Sequence, residues 1–430
     1  MSDRYEHMQE TWGVDRNPFP AEAISQGDEP YSPDVFPEEL EKFYSRMIYG
    51  AAMDRRGFGF LWSKGANNED TGMGKTTILR QAAKEVNRDF GETVLTEAGM
   101  KPERVGRHKG VAAYASFNTM SVNGVYPVLF AAVEYLADPR NGVGGLSVID
   151  VLRAQIREEH ELEEDDTDGL RNLILAERRK LGATLAPLRA DALEAFCAGS
   201  DGDFAAFLSE VSQASRIRNG LAYFDFAFTI VSAAGVRHLF LFIDQLEDLA
   251  TTPTVAKAKR TREVGRMRDI IAETQPFVGR VHCVFTFHAR AAEALDEMWR
   301  QTRLPSYDPE DPANENAVVV LRGIQSVEQV RTLLVTYLDK ERIDGETGEL
   351  APFEESALPI LLQRSGGRPG ILLMEAHKLF DRAADLERPM IDGALAADVL
   401  GLSGTVPAAT FRRSASADSG DARAIDDLLR

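Results

Sequence analysis

The chain is poor in cysteine: Cys197 and Cys283 are the only two among 430 residues. Two thiols make neither a disulfide framework nor a four-thiolate zinc site, so the fold rests on its core. Long apolar runs are lacking too. The most apolar window, 220–236, carries Asp225 and falls short of the roughly 20 residues that a membrane helix needs. The opening stretch Met1-Ser2-Asp3-Arg4-Tyr5-Glu6-His7 has no apolar centre of a secretory leader. A basic surplus is missing as well: 49 Lys and Arg stand against 68 Asp and Glu, a net charge of −19. That excludes a surface built to hold nucleic acid over its whole extent, though it leaves room for a local basic patch. The expectation is a cytoplasmic protein without a membrane span.

What is present is core material. Hydrophobic residues make up 44% and charged residues 27%, and the length exceeds one ordinary domain, so a large domain with appended pieces is expected. Residues 1–50 mix Pro and scattered aromatics (Trp12, Phe19, Tyr31, Phe36, Phe43) and read as an irregular segment packing near the site, then a helix from about Glu38 to Met53. The apolar run Phe58 to Trp62 reads as a buried strand, followed by a Gly/Asn-rich loop and a helix from Lys75 to about Asn87. A strand at Val111 to Phe117 and a helix at Tyr126 to Leu136 follow, then a charged, Ala/Leu-rich helical insertion over about 138–219. Its acidic run from Glu158 to Asp166 reads as a solvated face or loop. Leu239 to Ile243 and Val281 to Phe287 are two further strands. Strand and helix alternate, which predicts a three-layer α/β/α core around a mostly parallel sheet over 51–320. From Val318 onward the pattern reads as helical, giving a small lid domain over 321–400 and a disordered, Ser/Ala/Asp-rich tail over 401–430.

The chemistry starts at Gly72-Met73-Gly74-Lys75-Thr76-Thr77, between a strand and a helix. Glycines there let backbone N–H groups wrap phosphate oxygens at the positive end of a helix. In such a loop Lys75 reaches the β- and γ-phosphates and the Thr76 hydroxyl ligates Mg²⁺. The full pattern asks for a Gly where Glu69 stands; Gly65 serves if the loop carries four extra residues. The natural partner is Leu239-Phe240-Leu241-Phe242-Ile243-Asp244, a strand that delivers a carboxylate to the sheet edge beside the phosphates and the Mg²⁺. Gln245 follows where many such ATPases keep Glu as the base. An amide orients water but takes no proton near neutral pH, so Glu247, and after it Asp248, stand in line for that role.

With these motifs in hand, the chain resembles P-loop ATPases of the AAA+/STAND assemblage. The opening Trp12-Gly13-Val14-Asp15-Arg16-Asn17-Pro18-Phe19 is similar to the entry of secretion- and transposition-type ATPases, and Asp244-Gln245-Leu246-Glu247-Asp248-Leu249 is closer to STAND-type switches. The resemblance covers roughly 10–135 and 220–385 and implies ATP and Mg²⁺ as ligands, and a homo-oligomer. It implies a sensing polar residue at the end of the 281–287 strand, either Thr286 or His288. It implies that Gly366-Gly367-Arg368-Pro369-Gly370 is a lid motif whose Arg368 touches the γ-phosphate, and that Arg303 or Arg300 reaches a neighbouring subunit's site.

One local basic cluster stands out from the acidic background: Lys257, Lys259, Arg260, Arg262, Arg266 and Arg268. It reads either as a sequence-independent contact with a DNA backbone or as a helix pairing with acidic neighbours or another subunit. Two functions from different classes remain open. One is an ATPase that assembles on DNA in transposition, replication or phage defence. The other is an ATP-gated switch that signals to, or remodels, a protein partner.

Overall fold

The computed structural model describes residues 2–22, 30–63, 72–117, 124–182, 187–246, 256–286, 296–343, 345 and 347–402. Five strands, β1 (Phe58–Ser63), β2 (Gly110–Ser116), β3 (His238–Asp244), β4 (Val281–Thr286) and β5 (Val318–Leu321), form one sheet in the order β2-β3-β4-β1-β5. Every pairing is parallel, with Phe58 opposite Cys283, Leu239 opposite Val281 and Gly110 opposite His238. The strands are mainly apolar because both faces are covered, with polar residues toward their ends. Along β2, Val111, Ala113 and Ala115 enter one hydrophobic cluster while Ala112 and Tyr114 enter the other, the two-residue period of a strand between two layers.

The run Val318-Val319-Val320-Leu321 corrects the expectation of helix from Val318 onward. Three consecutive β-branched residues favour an extended chain, and they form edge strand β5 beside β1. The start of the chain is corrected as well, because Ser2–Trp12 is a helix, α1. The predicted helix near 38–53 spans 37–54, with a π-helical stretch at Tyr44–Gly50.

On one face of the sheet lies α2 (Lys75–Arg88), which buries Ile78, Leu79, Ala82, Ala83 and Val86. Asn87 clamps it to β2, donating to the Ala112 carbonyl at 2.9 Å and accepting from the Ala112 N–H at 2.8 Å. On the other face lie α3 (Val125–Ala137), α4 (Val148–Glu159), α5 (Thr167–Leu181), α6 (Ala190–Ala198), α7 (Asp203–Glu210) and the long α8 (Gln213–Ala233). This face includes the helical insertion. The apolar window of the sequence is the buried stretch of α8, packed against α3 so tightly that a Cβ on Gly220 would stand 2.0 Å from the Tyr126 carbonyl oxygen. Only glycine fits such an approach. Among the described residues, no helix is long and apolar enough to cross a membrane.

After α9 (Lys257–Arg268), β4 and β5 come the lid helices α10 (Val327–Lys340), α11 (Leu358–Ser365), α12 (Pro369–Asp385) and α13 (Gly393–Val399). They share their hydrophobic cluster with α2 and one face of the sheet. The N-terminal segment is strapped across this lid. Trp12 donates through Nε1 to the Pro389 carbonyl at 3.0 Å and meets Phe380 edge-on, with ring centroids 4.6 Å apart. Asn17 Nδ2 donates to Asp381 at 2.8 Å, and Arg4 pairs with Asp381 and Asp385. The tail 403–430 lies outside the described residues.

Candidate functional site

The parallel sheet delivers the ends of β1, β2, β3 and β4 to one edge, and the start of α2 is placed there too. Gly72 and Gly74 adopt positive φ angles of 79° and 87°, and Gly74 is the N-cap of α2. Left-handed backbone is costly for residues with a Cβ. It turns the chain so that N–H groups at the helix start face outward together, the arrangement that binds an anion.

Lys75 is buried, and its Nζ donates to Ser63 Oγ at the end of β1 at 2.7 Å. Thr76 Oγ1 donates to Asp244 Oδ2 at 2.5 Å, joining the loop to the end of β3. Asp244 accepts from three further donors: Tyr114 OH at 3.1 Å, the Gln245 N–H at 3.0 Å, and the Thr286 hydroxyl. Burial, then the Asp244 charge, pushes the Tyr114 phenol well above its ordinary range, so it stays protonated and donates. The Arg80 guanidinium lies 4.8 Å over the Tyr114 ring. Gln245 is held with φ at 56°, its side-chain Oε1 accepting from Ser116 Oγ at 2.8 Å and its N–H also reaching Thr286 Oγ1 at 3.2 Å. A left-handed glutamine costs of order 1 kcal/mol or more, a strain concentrated beside the carboxylate. Thr76 and Asp244 present a hydroxyl and a carboxylate side by side, hard oxygen donors of the kind that Mg²⁺ takes alongside phosphate oxygens, so these residues fit that ion.

The lid reaches the same loop. The Gly370 N–H donates to the Gly72 carbonyl at 2.8 Å, and the Ile324 N–H donates to the Gly367 carbonyl at 2.7 Å. Buried Met73 has its Cε 3.1 Å from where a Cβ of Gly323 would stand. Arg368, at the N-cap of α12, lies two residues from the Gly370 contact and donates through Nε to the Ser365 carbonyl at 3.2 Å.

The structure therefore brings together Gly72, Met73, Gly74, Lys75, Thr76, Asp244 and Gln245, with Thr77 half-buried in the first turn of α2. Of the two candidates at the end of β4, Thr286 touches Asp244, while His288 lies outside the described residues. Glu247 and Asp248 lie outside them too, as do Gly65 and Glu69. Arg300 is tied to Asp296, whereas Arg303 is exposed and has φ at 57°. Sequence reasoning missed Ser63, Tyr114 and Ser116. Their signal is positional, since each stands at or near the C-terminal end of a strand in the register that faces the loop.

Part of the basic cluster is tied up. On α9, Lys257 pairs with Glu297 at 2.5 Å, Arg266 with Glu263 at 2.7 Å, and Arg268 with Asp269 and Glu273 at 2.7 Å each. Arg260 is half-buried; Lys259 and Arg262 are exposed. Pairing with acidic neighbours thus accounts for half of the six cations.

No protein-family model matches the chain, and no curated protein matches it by sequence. Among solved structures it is similar to the ORC2 protein of Aeropyrum pernix in ADPNP–ADP complexes, at 13% identity over 89% of this chain and 72% of that one, with a TM-score of 0.42. It is similar also to ORC1 of Aeropyrum pernix in complex with DNA (10% identity, 86% and 68% covered, TM-score 0.38). A third likeness is to the Thermotoga maritima RuvB Holliday junction branch migration motor (12% identity, 90% and 73% covered, TM-score 0.33). Fold and site together define a three-layer α/β/α P-loop NTPase core with a helical insertion and a C-terminal helical lid.

Proposed function

We propose that this chain is an ATP-binding, slowly hydrolysing ATPase of the AAA+/STAND type, which forms homo-oligomers and couples its nucleotide state to a DNA-linked process. The observation that carries the reading is the contact of Thr76 with Asp244 at the open edge of the sheet, directly beside the left-handed Gly72–Gly74 turn.

The roles follow from the chemistry of each group. Backbone N–H groups around Gly72 to Thr76 cradle the phosphates, and Lys75 exchanges Ser63 for the β- and γ-phosphate oxygens. Thr76 and Asp244 hold Mg²⁺, which when bound offsets phosphate negative charge. Tyr114 and Thr286 fix the rotamer of Asp244. Gln245, anchored by Ser116, orients water without taking its proton, and Glu247 is the base. Arg368 reads the γ-phosphate, and the Gly370–Gly72 hydrogen bond carries its state to the lid. Arg303 is exposed where a neighbouring subunit could receive it as an arginine finger. On α9, Lys259 and Arg262 are the cations left for a phosphate backbone.

A second reading, an ATP-gated switch acting on a protein partner, is favoured by one specific feature: an amide, not a carboxylate, follows Asp244. The test is ATP turnover and solution mass, each with and without double-stranded DNA. Stimulated turnover with a rise in mass supports the DNA-linked ATPase. Tight ATP binding with neither turnover nor a DNA response selects the switch.

A further inference from the structure

At the edge of the sheet opposite the phosphate loop, six cations converge from four separate connections. Arg55 precedes β1; Arg104, Arg107 and Lys109 precede β2; Arg237 precedes β3; and Arg280 precedes β4. The main chain locks these connections together. The N–H groups of Arg237 and His238 both donate to the Lys109 carbonyl, at 2.9 and 3.0 Å, and Leu239 N–H donates to the Arg280 carbonyl at 2.8 Å. Arg280 Nε donates to the Arg237 carbonyl at 3.2 Å, and a Cβ on Gly279 would stand 3.0 Å from Cβ of Arg55. Among the described residues, Arg55, Arg104, Arg107, Lys109 and Arg237 have no carboxylate partner; the side-chain contact of Arg104 is with Met53 Sδ at 3.9 Å.

Beneath the cations runs a chain of three histidines. His282 Nδ1 meets the Arg56 carbonyl at 2.5 Å, His238 Nδ1 meets His282 Nε2 at 2.9 Å, and His108 Nδ1 meets His238 Nε2 at 3.3 Å. A carbonyl only accepts, so His282 donates through Nδ1; burial keeps His282 and His238 neutral, which makes His282 Nε2 accept from His238 and His238 Nε2 accept from His108. Burial first, then Arg237, Arg104 and Arg107, holds the His108 pKa below its ordinary value, so the positive potential of the rim is felt at that ring.

We infer that this rim is a docking surface for the phosphate backbone of a nucleic acid, bound without sequence preference. Four adjacent strands make an edge about 14 Å across, wide enough to meet several phosphates of one backbone. Arginine forks match phosphate oxygens. Of the nearby acids, Asp54 is held by Arg56, Glu159 lies 3.8 Å from where a Cβ of Gly235 would stand, and Glu177 is linked to Arg280 through the Ser232 hydroxyl, so the net positive charge of the rim rests on the other five cations. An acidic protein segment has similar charge, but protein interfaces carry an apolar or aromatic centre. Among the exposed large hydrophobics of the described residues, Val278 alone lies in these connections. The inference goes beyond the ATPase reading and uses none of the nucleotide-site residues.

The experiment is equilibrium binding of the full chain to a fluorescent 30-base-pair duplex across a salt series. The wild type is expected to bind with a steep salt dependence, and Arg104→Ala/Arg107→Ala to weaken binding on the order of tenfold with a salt slope shallower by about 2. ATP affinity, measured alongside, stays at the wild-type value and reports intact folding; Arg55→Ala is the second variant, expected to lose about one unit of slope. With no nucleotide present, Lys75→Ala binds the duplex as the wild type does, which separates failure of this inference from failure of the ATPase reading. The inference is overturned if the wild type does not bind the duplex. It is overturned equally if the rim variants keep wild-type affinity and slope while Lys259→Ala/Arg262→Ala loses them, or if poly-glutamate is held more tightly than the duplex.

Discussion

Asp244 accepts four hydrogen bonds, from Thr76, Tyr114, Thr286 and the Gln245 N–H, so every donor around it is aimed at a negatively charged acceptor. Replacing it with Asn turns one carboxylate oxygen into an NH₂ that faces hydroxyl donors and removes the hard anionic ligand. Asp244→Asn is therefore expected to retain ATP binding through the loop while lowering Mg²⁺-dependent turnover at least about 100-fold, read from nucleotide affinity and phosphate release on the same preparation. Unchanged turnover would remove Asp244 from the metal site. At this scale the sequence is legible where a motif forces residue type and spacing together. Such a motif singles out Gly72, Gly74, Lys75, Thr76 and Asp244 as candidates, and the structure brings them together. It does not single out Tyr114, because an aromatic in an apolar strand reads as core, and only the parallel register with β3 reveals that its hydroxyl meets Asp244. Ser63 and Ser116 were hidden for the same reason.

Elements were legible in proportion to their length and patterning. The helix Lys75–Arg88 and the strands of the buried sheet carry strong apolar signals; α1 is polar and gave none, and β5 is four residues long and runs into a helical domain. The cationic rim has no signature in any single segment, since its residues come from four connections that only the sheet brings together. The histidine chain within it makes a prediction about whole elements. Burial, chiefly, lowers His282 to about 4 and His238 to about 2, from an ordinary value of 6.5. Between those values and 6.5 the unfolded chain binds more protons than the folded one, so stability is present above pH 6.5 and is lost as pH falls through that window. The urea midpoint is expected to drop between pH 7.5 and pH 5.0, above the range where most carboxylates titrate. A midpoint that stays level there would mean that the rings are not buried as neutral imidazoles.

Across the whole molecule, three layers divide the labour. The sheet places the candidate nucleotide-site groups at one edge and cations at the other. The insertion builds the second hydrophobic cluster, and the lid, strapped by the N-terminal segment through Trp12 and Asn17, rests on the phosphate loop through Gly370 and Met73. Everything proposed for turnover, oligomer and lid movement presupposes that Gly72 to Thr76 hold a triphosphate. The most direct measurement is therefore equilibrium binding of Mg·ATP to the wild type and to Lys75→Ala. Saturable binding by the wild type, weakened on the order of 10- to 100-fold in the variant because one charge-assisted contact is gone, is the expected result. Equal affinity in both proteins, or none in the wild type, would contradict the account at its base.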